Sequence, residues 1–152
     1  MMKSRTLALA AVVLGSVIAC NDTPTRPTEP NQAAFTLTVG ERDWWPNDNP
    51  EKEYWLTADL TIREAAGLGG NIDFLRLEGK GPGATYEEAE IGSALVVSEL
   101  GTNRVNASSS WSHSVAWEWN MQDAVGYKIT IQLTDDRGHV TVLVSRDADY
   151  PE

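Results

Sequence analysis

Alternation of apolar and polar residues is the main pattern along the chain from position 34 onward, and it predicts short β-strands. Apolar side chains occupy every second position over residues 35–39 and again over residues 56–62. Residues 72–77 are apolar on both faces, with Asp73 and Arg76 as exceptions, which is typical of a central strand. Glycine-rich stretches separate these segments, so the pattern predicts strands joined by turns.

The second half of the chain alternates more regularly. In a strand over residues 110–119, one face carries five large side chains: Trp111, His113, Val115, Trp117 and Trp119. Residues 127–133 and 140–144 alternate on either side of a turn at 135–138, which predicts an antiparallel hairpin. Residues 94–100 are a plausible fourth strand, whereas residues 86–91 fit either a short helix or a strand. No helix longer than two turns is expected.

Seven or so short strands over about one domain length predict an all-β, antiparallel β-sandwich. Composition agrees, because 41% of the 152 residues are hydrophobic, which is enough for a packed core. The formal charge of −10 argues against a nucleic-acid partner. The single cysteine excludes an intrachain disulfide.

A short motif before the penultimate strand resembles a known corner. The sequence Asp123-Ala124-Val125-Gly126-Tyr127 is similar to the tyrosine corner of immunoglobulin-like domains, whose tyrosine hydroxyl bonds back to the backbone. This chain lacks the cysteine pair of those domains and has no tryptophan on its third strand. It therefore resembles fibronectin-III-like sandwiches more closely. The resemblance implies a fold and no particular activity.

The first twenty residues have the composition of an export signal. Lys3 and Arg5 precede an apolar stretch of about a dozen residues, which is too short to span a bilayer. It ends in Val17-Ile18-Ala19-Cys20, which resembles the lipobox of bacterial lipoproteins. In that family the signal is cleaved before the cysteine, and the cysteine carries the lipid. The alternative is an ordinary secretory signal with an incidental cysteine.

This resemblance implies an organisation in three parts. Residues 1–19 would be the signal peptide, residues 20–33 the lipidated Cys20 with a disordered tether rich in proline and threonine, and residues 34–152 the sandwich domain. Cys20 would anchor the protein to a membrane of the bacterial cell envelope. Because Asp22 lies one position beyond the place where aspartate retains lipoproteins in the inner membrane, the outer membrane is favoured.

Residues able to do chemistry are few. The two histidines, His113 and His139, lie far apart, so a serine triad or a catalytic zinc site is not expected. Neighbouring acids Glu87, Glu88 and Glu90 could supply a hydrolase pair, but a solvated face is the simpler interpretation, and so small a sandwich leaves little room for a cleft. We expect neither enzymatic activity nor a cofactor.

Oxygen-rich segments provide calcium candidates that are also typical of turns. One lies around Asp43 and Asp48, in a predicted loop between the first two strands, and the other is Asp135-Asp136. Both stretches are rich in the Asp and Asn residues that form turns without any metal.

Six tryptophans are many for a chain of this length, and they are the best candidates for a ligand site. Trp44 and Trp45 are adjacent, so they should point in opposite directions and expose at least one ring. Trp55 falls on the polar side of its strand. Three tryptophans on one face exceed what a sandwich interior easily holds, so one of them should be exposed, and Trp111 and Trp119, near the strand ends, are the candidates.

Three functions remain open from these observations. The first is an envelope lipoprotein whose immunoglobulin-like domain binds a protein or has a structural role, without catalysis. The second is a carbohydrate-binding module that stacks sugars on exposed tryptophans, in place of their simpler role of covering loops and edges. The third is a small hydrolase that uses a pair of carboxylates.

Overall fold

The computed structural model describes residues 30–81, 83, 86–120 and 126–147. The predicted signal peptide, Cys20 and the tether up to residue 29 lie outside the described residues, as does the segment 123–125 of the predicted tyrosine corner. The described chain is all-β, with eight strands and one short helix. In chain order these are β1 (Phe35–Pro46), β2 (Tyr54–Glu64), β3 (Gly70–Lys80), β4 (Tyr86–Gly92), α1 (Ser93–Leu100), β5 (Arg104–Val105), β6 (Ser110–Trp119), β7 (Gly126–Asp135) and β8 (Val140–Arg146).

The strands form two antiparallel sheets that share one core. The first has the order β1-β2-β6, and the second has the order β4-β3-β7-β8, with the two-residue β5 also paired to β3. Apolar side chains from the inner faces of both sheets form one buried cluster. The predicted sandwich and the predicted hairpin, now β7 and β8, are therefore confirmed.

Strand β3 is central, as predicted, and its two exceptions have a structural cause. It pairs with β4 on one side and with β7 on the other. The register with β7 shifts between Ile72 and Phe74, so Asp73 is an extra residue in a β-bulge. The bulge restores alternation, with Leu75 and Leu77 facing the core and Arg76 outside it. Asp73 itself accepts hydrogen bonds from β7 side chains.

Two predictions about strand positions were wrong. Residues 94–100, expected to be a strand, belong to the helix α1, and the ambiguous residues before them form β4. Gly101 ends the helix in the left-handed conformation, and its N–H bonds to the carbonyl of Val97. Strand β1 does not stop at Gly40 but continues past a bulge to Pro46, so Trp44 and Trp45 lie in a strand.

Aromatic rings of the first sheet occupy space above glycines of the central strand. A β-carbon on Gly79 would lie 2.6 Å from Cζ2 of Trp119, and one on Gly70 would lie 2.8 Å from Cζ of Phe35. Both distances are too short for a real side chain. These glycines therefore leave the room that large rings need between the sheets.

Two buried carboxylates fix the point where the chain enters the domain. Asp135 accepts the N–H of Ala33, and Glu64 accepts the N–H of Ala34. Burial disfavours the charge of Asp135, but hydrogen bonds from the N–H groups of Ala33, His139 and Arg137 outweigh it and lower its pKa to about 2. Both carboxylates therefore remain ionised as structural acceptors.

Within the residues that the structure describes, no helix is long and apolar enough to cross a membrane.

The fit between Gly79 and Trp119 predicts a selective effect of one methyl group. Gly79→Ala forces the ring to move, and we expect a loss of about 1–3 kcal/mol in the free energy of unfolding. Gly92→Ala is the control, because a β-carbon on Gly92 would have nothing within 4 Å and its φ of −73° suits any residue. Urea denaturation measures both, and equal stability of the two variants would contradict the proposed fit.

Candidate functional site: a groove between two sheet edges

A groove with a volume of about 690 Å³ lies where an edge of each sheet meets. One wall is the outer edge of β6 over Ser114–Glu118, and the other is β4 over Glu88–Ile91. Leu95 and Leu100 of α1 also line it. The expectation that so small a sandwich leaves little room for a cleft was therefore wrong, because the edges of β4 and β6 border one.

An acidic side chain of β4 contacts Lys52, one of the residues that line the groove. Glu87 forms an ion pair with Lys52, with 2.6 Å between Nζ and Oε1. The same carboxylate accepts the backbone N–H of Asn120, just past the end of β6, at 3.0 Å. Glu87 therefore links β4 of the second sheet to the residues that precede β2 and follow β6 of the first sheet.

Trp117 gives the groove its most unusual feature. Trp117 is one of the residues that line the groove, and it is only 1% exposed. Among the described residues, its indole Nε1 is the buried side-chain nitrogen or oxygen that has no hydrogen-bond partner. A buried donor without an acceptor costs about 1–3 kcal/mol, so native proteins rarely keep one without a reason. An acceptor supplied by a ligand in the groove would remove this cost.

The rim of the groove is mainly negative. Four carboxylates line it, at Glu88, Glu90, Glu99 and Glu118, against the single ammonium of Lys52. Two of them are also held from outside the groove, since Arg76 contacts Glu88 at 3.2 Å and Glu90 at 2.6 Å. The groove therefore combines an apolar interior with an acidic border.

The adjacent tryptophans point to opposite sides, as predicted. Trp45 is 56% exposed and pairs in register with Trp55, so these two rings lie on the outer face of the first sheet. Trp44 is 39% exposed and faces the inner side, where its ring lies 5.6 Å from that of Tyr127. Trp55 also lines the groove, which makes the outer tryptophan pair continuous with it.

The expectation that either Trp111 or Trp119 is exposed was wrong. Trp119 is fully buried against Gly79, and Trp111 is 3% exposed. The indole Nε1 of Trp111 donates to the carbonyl of Thr102 at 3.0 Å, beneath the segment that follows α1. The glycine in β3 and this acceptor allow both rings into the core, so neither can serve as a ligand platform.

The calcium candidates occupy other roles. Asp135 is buried and accepts backbone hydrogen bonds within its turn, while Asp136 pairs with Arg104. Asp43 lies exposed in β1, and Asp48 lies exposed in the turn that follows. In the described ranges, no group of three or more His, Cys, Asp or Glu side chains is arranged to hold a metal ion.

The three acids considered for hydrolysis do not form a free pair. Glu87 is bound to Lys52 and Asn120. Glu88 accepts the hydroxyl of Tyr86 at 2.7 Å and contacts Arg76, which also binds Glu90. Each of these carboxylates is thus part of a structural contact. The sequence had identified the acids but could not show that Glu88 and Glu90 border a groove.

Comparison with known proteins adds information about the fold. No family model matches the chain, and no curated protein sequence matches it. Northeast Structural Genomics Consortium target SoR45 has a TM-score of 0.56 and 10% identity, over 74% of this chain and 83% of that chain. A Bordetella pertussis protein provisionally assigned as ApaA has a TM-score of 0.54 and 10% identity, over 80% of this chain and 94% of that chain. At this identity the likeness shows a shared fold alone.

The unpartnered indole of Trp117 predicts an asymmetry between two tryptophans of the same strand. Trp117→Phe removes a donor that has no acceptor, whereas Trp111→Phe breaks the bond to Thr102. Both changes remove similar ring volume. We therefore expect Trp111→Phe to lower the free energy of unfolding by about 1–3 kcal/mol more than Trp117→Phe does. Chemical denaturation tests this, and an equal or greater loss for Trp117→Phe would show that its N–H has a partner.

Proposed function

We propose that this chain is a lipid-anchored protein of the bacterial cell envelope whose sandwich domain binds a ligand without catalysis. The observation that carries the binding function is the buried, unpartnered indole N–H of Trp117 beside an open groove. An apolar interior with a few polar groups is typical of binding sites. The engaged state of Glu87, Glu88 and Glu90 favours binding over hydrolysis.

We further propose that the domain is immunoglobulin-like. The strands can be named as in an immunoglobulin-like domain: A is β1, B is β2, C is β3, C′ is β4, E is β6, F is β7 and G is β8. The two sheets then have the orders A-B-E and C′-C-F-G. This arrangement supports the similarity to fibronectin-III-like sandwiches inferred from the sequence. The helix α1 and the short β5 would then fill the connection between C′ and E.

The lipid anchor is supported by the sequence around Cys20. The chain has one cysteine, and it lies where an apolar segment and Ala19 place the acceptor of a lipobox. The following segment, rich in proline and threonine, would separate the domain from the membrane surface. An outer-membrane location follows from Asp22 only within this proposal.

Replacement of the cysteine tests the anchor. In cells fed radiolabelled palmitate, we expect Cys20→Ser to abolish labelling and leave the protein unprocessed or released from the membrane fraction. Ser16→Ala is the control, because it changes a hydroxyl in the same predicted signal and should keep the label. Labelling that persists in Cys20→Ser would refute the anchor.

Site-specific photo-crosslinking tests the groove as the binding site. A photoreactive benzoylphenylalanine replaces Leu95, which lines the groove, or Val97, which is similarly exposed on the same helix but is not part of the lining. In intact cells that make the protein, we expect a crosslinked product from position 95 and none from position 97. Products from neither position, or equally from both, would contradict ligand binding in the groove.

Carbohydrate binding is a second candidate function, favoured by the outer tryptophan pair. Trp45 is exposed beside Trp55, and the amide of Asn49 and the carboxylate of Glu118 lie nearby, 3.3 Å apart. Flat rings beside polar groups suit the stacking of sugars. Retention of the protein on an immobilised polysaccharide tests this function. If Trp45→Ala abolishes retention and Trp117→Phe preserves it, the outer tryptophan pair is the binding site.

A further inference from the structure

The free edge of β6 presents backbone groups to the groove. Glu64 donates its N–H to the carbonyl of Ser109 at 2.9 Å, which fixes the hydrogen-bonding phase of the β2–β6 pair. Because hydrogen-bonded pairs alternate in an antiparallel ladder, the odd-numbered residues of β6 face β2. The even-numbered residues therefore direct their N–H and C=O groups toward the open edge.

A contact at the end of β6 agrees with this phase. Asn120, the next even-numbered residue, donates its N–H across the gap to Glu87 of β4. Three even-numbered residues that precede Asn120 line the groove: Ser114, Ala116 and Glu118. Within the described residues, no strand pairs with this edge of β6, so the outward N–H and C=O groups of these three residues are available to an added strand.

We propose that the groove binds an extended, basic peptide segment of a partner protein, which adds as a strand to the free edge of β6. This inference rests on the proposed binding function and names the chemical class of its ligand. On binding, the ring of Trp117 turns its buried indole N–H toward the groove, where a carbonyl oxygen of the peptide accepts it. About five residues of the peptide match the five residues of β6 that line the groove.

Charge complementarity selects a basic segment. The four carboxylates of the rim exceed the ammonium of Lys52 and the guanidinium of Arg76, which pairs with two of them, and the chain as a whole carries a formal charge of −10. Alternate side chains of an added strand point to opposite sides. One set therefore contacts the apolar interior near Leu95 and Leu100, and cationic side chains of the other set reach the acidic rim.

Synthetic heptapeptides test the proposal on the full chain, purified in nonionic detergent. The probe is fluorescent Lys-Val-Lys-Val-Lys-Val-Lys, and its matched controls are the same peptide with N-methylated valines and the peptide with Glu in place of Lys. Fluorescence anisotropy at physiological salt measures the Kd. We expect the basic peptide to bind and each control to bind at least about tenfold more weakly, because each lacks several backbone or ionic contacts.

Two protein variants locate the contact. Ala116→Pro removes one N–H from the open edge, and Trp117→Phe removes the indole donor, so each should weaken binding about fivefold or more. Val142→Pro is the control for edge pairing elsewhere, since Val142 is 53% exposed on β8, the free edge of the second sheet. Trp111→Phe is the control for the indole change. Both controls should leave the Kd within about twofold, a change too small for the loss of a hydrogen bond.

Several results would overturn the peptide proposal. They are equal binding of the N-methylated or acidic peptide, loss of binding in Val142→Pro and not in Ala116→Pro, or no binding by any peptide. Binding of chitohexaose or cellohexaose that requires Trp45, in place of peptide binding, would also overturn it and support the glycan function. If crosslinks from position 95 persist while every peptide fails, the groove binds another ligand, and the proposed function survives without this inference.

Discussion

The burial of three tryptophans on the inner face of an edge strand is the constraint on which this domain depends. Trp111, Trp117 and Trp119 lie on β6, which has a neighbouring strand on one side in its sheet. Indole rings bring a large hydrophobic contribution, but each carries an N–H that must find an acceptor. The way in which each ring is accommodated determines the local shape of the sandwich.

The three rings are accommodated in different ways. Trp119 fits over Gly79, where the central strand gives up its side chain. Trp111 satisfies its indole through the carbonyl of Thr102, which ties the segment after α1 to the core. Trp117 lies between these positions, beside the groove, and its donor has no partner in the described structure. The binding function that we propose thus arises from the same packing that stabilises the fold.

Local pattern was sufficient to predict much of this fold. Alternation identified the buried face of β6 and the β7–β8 hairpin, because each depends on residues that are close together in the chain. It failed for α1, because residues 94–100 combine the β-branched Val96 and Val97 with helix-forming residues, and the helix is stabilised by Gly101 and the burial of Val96. Intrinsic preference does not determine whether so short a segment forms a helix or a strand, because its tertiary contacts determine the conformation.

The candidate site was beyond prediction for a related reason. Its walls come from β4 and β6, which are separated by α1 and β5 in the chain and belong to different sheets. No sequence pattern shows that the acids of β4 face the tryptophans of β6, or that Gly79 makes room for a ring that was expected to be exposed. The sequence did indicate the importance of the tryptophans, since Trp45 is exposed and its partner Trp55 lines the groove.

The central claim is that the indole N–H of Trp117 is an unsatisfied donor that a peptide ligand completes. Two-dimensional ¹H–¹⁵N NMR observes this group directly, with the indole of Trp111 as an internal reference. We predict that the Trp117 resonance moves downfield when the basic heptapeptide is added, because its N–H then has an acceptor, while the Trp111 resonance stays in place. A Trp117 indole resonance that does not respond to saturating peptide would contradict the account.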